Sequence, residues 1–152
     1  MAEKMDKPRK ASSFNITKNH LINYRFYVAT IERKQERIDQ LSAQAEGIRA
    51  TDYSRDRVQT SPENMIEKMI SEKMKIEDDL RKAKALVADI DRAMNELDQD
   101  TKTILELKYI ALLSQFNSWV KVARIVGYEE RQCRRKADYG IEKISVVIFG
   151  VE

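Results

Sequence analysis

Apolar residues recur at alternating spacings of three and four positions along two long stretches of the chain. In the first stretch, residues 17–48, the recurring positions are Tyr24, Tyr27, Ile31, Ile38, Leu41, Ala45 and Ile48, with Lys34 as the one interruption. In the second, residues 61–97, they are Ile66, Met69, Ile76, Leu80, Ala83, Val87, Ile90, Met94 and Leu97, with Lys73 as the one polar member. This spacing is typical of a heptad seam, so each stretch is predicted to form a long helix that packs against another helix.

The polar segment 50–60 separates these two helices. Ser61 and Pro62 mark the start of the second one, because serine is a favoured N-cap and proline is tolerated in the first turn. A helix over residues 61–97 would be about 55 Å long. Two helices of similar length joined by a short loop favour an antiparallel helical hairpin over residues 17–97. The same seams could pair between chains, which would give a homo-oligomer through the coiled coil.

The first 16 residues are polar and basic, and we expect them to form a disordered tail. Residues 1–18 hold five basic and two acidic side chains. Such a tail is suited to the backbone or minor groove of a nucleic acid, and it is equally typical of a solubilising terminus.

A shorter helix is predicted after the second seam, over residues 101–113. Asp98 or Asp100 is suited to cap it, and Asn117 or Ser118 is suited to cap the helix that follows. Its expected inward stripe is Ile104, Leu107 and Ala111, with Leu105 and Leu112 beside it.

The stretch from Trp119 to Ile144 predicts two helices joined by a tight turn at Gly127. Glycine adopts the left-handed conformation cheaply, and Glu129 or Glu130 is suited to open the second helix. The positions assigned to the turn and its packing are Trp119, Val122, Ala123, Gly127, Tyr128 and Cys133. Cys133, the single cysteine, starts an inward stripe and is expected to be a small buried residue. A short helix, a glycine turn and a basic helix outline a helix-turn-helix, here placed in a C-terminal domain of residues 98–152.

Basic side chains mark the outward face of this element. Residues 119–143 hold seven basic and four acidic side chains, within a chain whose net charge is only +3. Arg131, Arg134, Arg135 and Lys136 lie in the first turns of the second helix, which in a helix-turn-helix face base edges. Arginine binds guanine or phosphate through paired hydrogen bonds. Lys121, Arg124 and Lys143 are suited to phosphate contacts. Glu130 is suited to capping the helix, and it could also accept a hydrogen bond from a cytosine amino group. The expected partner is double-stranded DNA.

Composition narrows the fold and function classes. Four Gly, two Pro and 35% charged residues favour an all-α fold of long helices. One His and one Cys exclude a zinc cluster, and so few glycines leave no phosphate-binding loop. We therefore expect no enzyme, no metal and no cofactor. The chain shows neither a secretory signal nor a membrane-spanning apolar run, so a cytoplasmic protein without a membrane partner is expected.

Part of the C-terminal third resembles a known module. The matching residues are the run LDQDTKTILELKYI, the Ser118-Trp119 entry, Val122-Ala123, Gly127-Tyr128 and the arginine-rich helix after them. They are similar to the sigma-factor region that reads the −35 promoter element. A long coiled N-terminal half before this module resembles the ArpU and RinA-like late-gene transcription regulators of phages. The chain departs from that family in carrying Glu129-Glu130 where Ser or Thr is usual, and two carboxylates there would repel phosphate.

The resemblance implies a sequence-specific activator of a phage or prophage late operon, in a bacterial cytoplasm, with RNA polymerase as a further partner. Two other functions are compatible with the same pattern. A DNA-packaging small terminase subunit also combines a helix-turn-helix with a coiled oligomerisation region. A coiled-coil adaptor would bind another protein and leave the basic helix incidental.

Overall fold

A computed structural model describes residues 10–51 and 62–150 of the chain, and their regular structure is entirely helical. The α-helices are α1 (Lys10–Ile22), α2 (Tyr24–Thr51), α3 (Pro62–Asn95), α4 (Gln99–Leu105), α5 (Trp119–Val126) and α6 (Glu130–Phe149). A π-helical turn, Glu106–Ile110, and a 3₁₀ turn, Ser114–Phe116, lie between α4 and α5. The predicted all-α class is confirmed. Across the described ranges, none of the helices combines the length and the apolar character needed to cross a bilayer.

The chain divides into two compact units. Unit 1 comprises residues up to Tyr27 together with those from Leu86 onwards, and unit 2 comprises Val28–Ala85. The predicted boundary at residue 97 is therefore wrong, since the start of the first seam and the end of the second belong with the C-terminal helices. Heptad spacing reports that a helix has a packing partner, but it does not report which segment the partner is.

Unit 2 pairs residues 28–51 of α2 with residues 62–85 of α3 in opposite directions. The Lys34 ammonium lies 3.7 Å from the Asp79 carboxylate, and the Arg37 guanidinium lies 3.1 Å from that of Glu72. The residue numbers of the paired side chains rise along α2 and fall along α3, so the two helices are antiparallel. Lys34, the interruption in the first seam, is thus half-buried with its charge directed to a partner on the facing helix. The connecting residues 52–61 lie outside the described ranges.

Helix α1 belongs to the core of unit 1. Leu21 is fully buried and Phe14 packs against the same core, while the Thr17 hydroxyl donates to the Ser13 carbonyl oxygen at 2.8 Å. The predicted tail of residues 1–16 is therefore wrong from Lys10 onwards, and residues 1–9 lie outside the described ranges. Phe14, Thr17 and Leu21 keep helical spacing. Only Phe14 and Leu21 are apolar, and polar residues lie between them, so the sequence pattern did not indicate a buried helix face.

The third predicted helix changes its winding halfway. Asp98 caps α4 by accepting from the Thr101 amide at 3.2 Å and the Thr101 hydroxyl at 2.6 Å. The chain then widens into the π-helical turn, where the Ala111 amide donates to the Glu106 carbonyl at 2.7 Å. The wider turn rotates the side chains that follow it. Ile104 and Leu105, which precede the π-helical turn, and Tyr109 within it are buried.

The inward positions predicted for the end of this helix hold only in part. Leu107 is half-buried and packs against the core. Ala111 is half-buried and Leu112 is exposed, because the chain leaves the helix at Ala111, whose backbone is extended. The helical pattern also ends at residue 110, whereas continuous α-helical spacing predicted an end at residue 113.

Helices α4 and α6 approach closely at Gly140. A Cβ atom at this position would lie 2.8 Å from both the Leu105 Cδ1 and the Thr101 Cγ2 atoms. Glycine inside a helix is otherwise unfavourable. The close contact explains why a glycine is present here, because it lets the middle of α6 pack directly against α4.

Candidate nucleic-acid interface

Helices α5 and α6 are joined by the turn of residues 127–129. Ser118 caps α5 by accepting from the Lys121 amide at 3.2 Å. Gly127 ends α5 in the left-handed region, with φ 80°, and its amide donates to the Ala123 carbonyl at 2.9 Å. Glu129 occupies the N-cap position of α6 without a side-chain cap bond. The turn thus has the predicted residue bounds and the glycine conformation that its tightness requires.

The inward face of α6 is fully apolar. Cys133, Ala137, Ile141 and Ile144 are completely buried, as is Val122 on α5. Trp119, Ala123, Val126 and Tyr128 pack partly buried against this core. Burial raises the pKa of the Cys133 thiol, which keeps it protonated, as expected of a small core residue. Nowhere in residues 10–51 and 62–150 do three or more His, Cys, Asp or Glu side chains form a group suited to a metal ion.

The turn is tied to the start of α4. The Tyr128 hydroxyl donates to the Asp100 carboxylate, and this bond raises the pKa of Tyr128. The Lys136 ammonium lies 3.8 Å from the Asp98 carboxylate and 5.1 Å from the centre of the Tyr128 ring. The bond from the Thr101 hydroxyl lowers the pKa of Asp98, so its carboxylate stays ionised as the partner of Lys136. Lys136, predicted as a DNA contact, therefore has a partner within unit 1.

Arg134 extends from α6 towards Trp119, the first residue of α5. Its guanidinium is 2.7 Å from the Glu130 carboxylate and 5.7 Å from the Trp119 ring centre. The indole of Trp119 also stands edge-on to Tyr109, with ring centres 6.4 Å apart. The predicted capping bond from Glu130 is wrong, because its carboxylate pairs with Arg134 instead. This pairing compensates part of the negative charge that the two glutamates place at the start of α6.

Arg131 and Arg135 lie one turn apart on the side of α6 opposite the buried stripe. Both are exposed, as are Lys121 and Arg124 on α5. Neither an ion pair nor a ring contact engages these four side chains among the residues that the structure describes. Lys143 is also exposed, and its ammonium lies 5.3 Å from the centre of the Tyr139 ring. Asp138 and Glu142 continue the line of the two arginines, so positive charge on this face is confined to the first two turns.

Three residues that position this surface were not predicted. Tyr109 supports Trp119, and the Lys108 ammonium lies 5.1 Å from the Trp119 ring centre. Gly140 sets the distance between α4 and α6. The glycine carried a usable signal, because a glycine within a helical pattern often marks a close contact. Tyr109 carried none, since its burial depends on the π-helical turn.

No protein-family model matches the chain, and comparisons with curated proteins and with solved structures give no significant match.

Proposed function

We propose that unit 1 binds double-stranded DNA and that the protein is a sequence-specific transcription regulator. One observation carries the proposal: Arg131 and Arg135 project from the first two turns of α6, exposed and without an ion-pair partner in the described ranges. A helix that docks in the major groove presents those turns to base edges. Unpaired guanidinium groups there are suited to guanine and phosphate, because no existing ion pair must be broken first.

The basic side chains differ in their proposed roles. Arg131 and Arg135 contact base edges or phosphates, and the exposed Lys121 and Arg124 of α5 contact phosphates. Arg134 compensates Glu130 and packs on Trp119, so its main role is to orient the start of α6. Lys136 is assigned to the fold, because it neutralises Asp98.

The resemblance to ArpU and RinA-like regulators, and to the sigma-factor region that reads the −35 element, supports a narrower proposal. The protein would regulate a phage or prophage late operon in the cytoplasm of a bacterial host and contact RNA polymerase there. Along the chain, the long helices α2 and α3 precede the basic element formed by α5 and α6, and this order agrees with the narrower proposal. The pairing of Glu130 with Arg134 removes part of the repulsion expected from the departure at Glu129-Glu130.

Genome-wide footprinting of the full chain on host and phage DNA would identify the bound site. Fluorescence anisotropy on that site would then compare Arg131→Ala and Arg135→Ala with the unaltered protein. We expect each to weaken binding by about 1–3 kcal/mol, and the affinity to fall steeply with salt. Arg81→Ala, an exposed arginine of unit 2, is the matched control and should leave binding unchanged. Salt-independent binding, no protected site, or an equal loss in the control would refute the proposal.

A further inference from the structure

Three large apolar side chains project from the segment between the π-helical turn and α5. Leu112, Leu113 and Phe116, here called the apolar knuckle, are between 59% and 69% exposed. Apolar side chains clustered this way mark an interaction surface more often than single exposed ones do.

The apolar knuckle is held in place by hydrogen bonds. The side-chain amide of Asn117 donates to the Leu107 carbonyl at 2.7 Å, the Lys108 ammonium donates to the backbone carbonyl of Asn117 at 2.8 Å, and the Ser114 hydroxyl donates to the Tyr109 carbonyl at 3.1 Å. Leu113 adopts the left-handed conformation, with φ 64°, which is unfavourable for a residue other than glycine. The surrounding bonds therefore hold the backbone of this segment in one arrangement, which lowers the backbone entropy lost on binding.

A pocket of about 320 Å³ lies on the same unit. Ile90, Met94 and Ile110 form apolar parts of its wall, and Asp91, Glu106 and Lys102 are among its polar lining residues. Its volume is at the lower end of the roughly 300–1,000 Å³ typical of ligand pockets. Only Ala111 separates Ile110 in the pocket from Leu112 in the apolar knuckle, so the two features are neighbours along the chain.

The chain segments that carry them have opposite net charge. Residues 107–128, which contain the apolar knuckle, hold three basic side chains and no acidic one. Residues 89–106, which supply most of the pocket, hold six acidic and two basic side chains. Opposed charge favours and orients an encounter between such surfaces.

We propose that two copies of this chain form a two-fold dimer in which the apolar knuckle of each copy enters the pocket of the other. The neighbouring positions of the two features allow both contacts in one symmetric pair, which closes without forming a filament. This interface differs from the coiled-coil pairing that the seams suggested, and it does not depend on DNA binding.

Sedimentation equilibrium of the full chain without DNA tests the proposal. The mass should rise with concentration from 17.8 kDa towards twice that value. Phe116→Glu and Glu106→Lys should each weaken dimerisation roughly tenfold or more, the first by placing a charge on the apolar knuckle and the second by reversing a charge at the pocket. Met74→Glu is the matched control, because Met74 is 64% exposed and belongs to unit 2, which supplies neither the apolar knuckle nor the pocket, and it should have no effect.

Mixing the two variants gives the decisive result. A mixed pair keeps one unaltered contact, in which the apolar knuckle of the Glu106→Lys chain meets the pocket of the Phe116→Glu chain. The mixture should therefore dimerise more tightly than either variant alone. Circular dichroism should show unchanged helical content in all variants. A chain that stays monomeric, a dimer insensitive to both substitutions, or a mixture no tighter than its components would overturn the proposal.

Discussion

Units 1 and 2 are both helical, but they are stabilised in different ways. Among its described residues, unit 2 has few buried apolar side chains, which are Ile38, Leu41 and Leu80, and its facing helices are linked by partly exposed ion pairs. Such pairs contribute at most about 1 kcal/mol each. Unit 1 has a continuous core built from α1, the end of α3, α4, the π-helical turn, α5 and α6. The candidate interface lies on the unit with the larger core, where packing holds the side chains that position it.

The contribution of α1 to unit 1 gives the largest expected effect. Leu21→Ala empties a fully buried site and should lower the free energy of unfolding by about 2–5 kcal/mol. Ile22→Ala, at a neighbouring position that is 46% exposed, should change it by only about 0.5 kcal/mol. Urea denaturation followed by circular dichroism measures both. Equal losses from the two substitutions would mean that α1 is not part of the core.

The same glycine-to-alanine change should have opposite signs in the two units. Gly140→Ala introduces a methyl group 2.8 Å from Leu105 and Thr101 atoms and should destabilise unit 1 by about 1–2 kcal/mol, even after the gain in helix propensity. Gly47→Ala enters open space in α2 and should stabilise unit 2 by about 0.5–1 kcal/mol.

Thr101→Ser supplies the control for the Gly140 contact. It removes the Cγ2 atom that the new methyl group would meet and keeps the hydroxyl that donates to Asp98. In this background, the loss caused by Gly140→Ala should be smaller, as measured by thermal and urea denaturation. A loss of the same size in both backgrounds would contradict the assigned contact.

The smallest effect concerns Tyr24, at the start of α2, where the chain belongs to unit 1. Its hydroxyl donates to the Asp91 carboxylate at 2.6 Å, and burial together with this bond raises the pKa of Tyr24 to about 12. Because the folded state favours the protonated hydroxyl, its contribution to stability is complete below about pH 10, the ordinary pKa of tyrosine. It is lost as the pH rises through 12. Tyr24→Phe should cost about 0.5–1 kcal/mol at neutral pH.

The pH dependence is measured as the stability difference between the unaltered protein and Tyr24→Phe in urea denaturation from neutral to high pH. That difference should shrink between pH 10 and 12. Tyr139→Phe removes a hydroxyl with no hydrogen bond to the described residues and should give no such trend. A constant difference across this range would show that the bond to Asp91 does not stabilise the fold.

Periodicity and capping residues alone determined much of the local structure of this protein, although they missed α1 and the π-helical turn. The all-α class followed from the seams at spacings of three and four and from the shortage of glycine and proline. The α5–α6 element followed from Ser118, Gly127 and the stripe from Cys133 to Ile144, because caps and amphipathic faces depend on residues close together in the chain. The exposed positions of Arg131 and Arg135 followed from that stripe in the same way.

Only the tertiary structure decided which segments share a core. Leu21 lies more than a hundred residues from Ile141, and both are buried in one cluster, which no local pattern indicates. Tyr109 is buried within the π-helical turn, and Leu112 is exposed because the chain leaves the helix at Ala111, whose backbone is extended. The tertiary structure also decided that Arg134 lies over Trp119 and that Lys136 pairs with Asp98. Side chains on separate elements meet only after packing has set the distance between those elements.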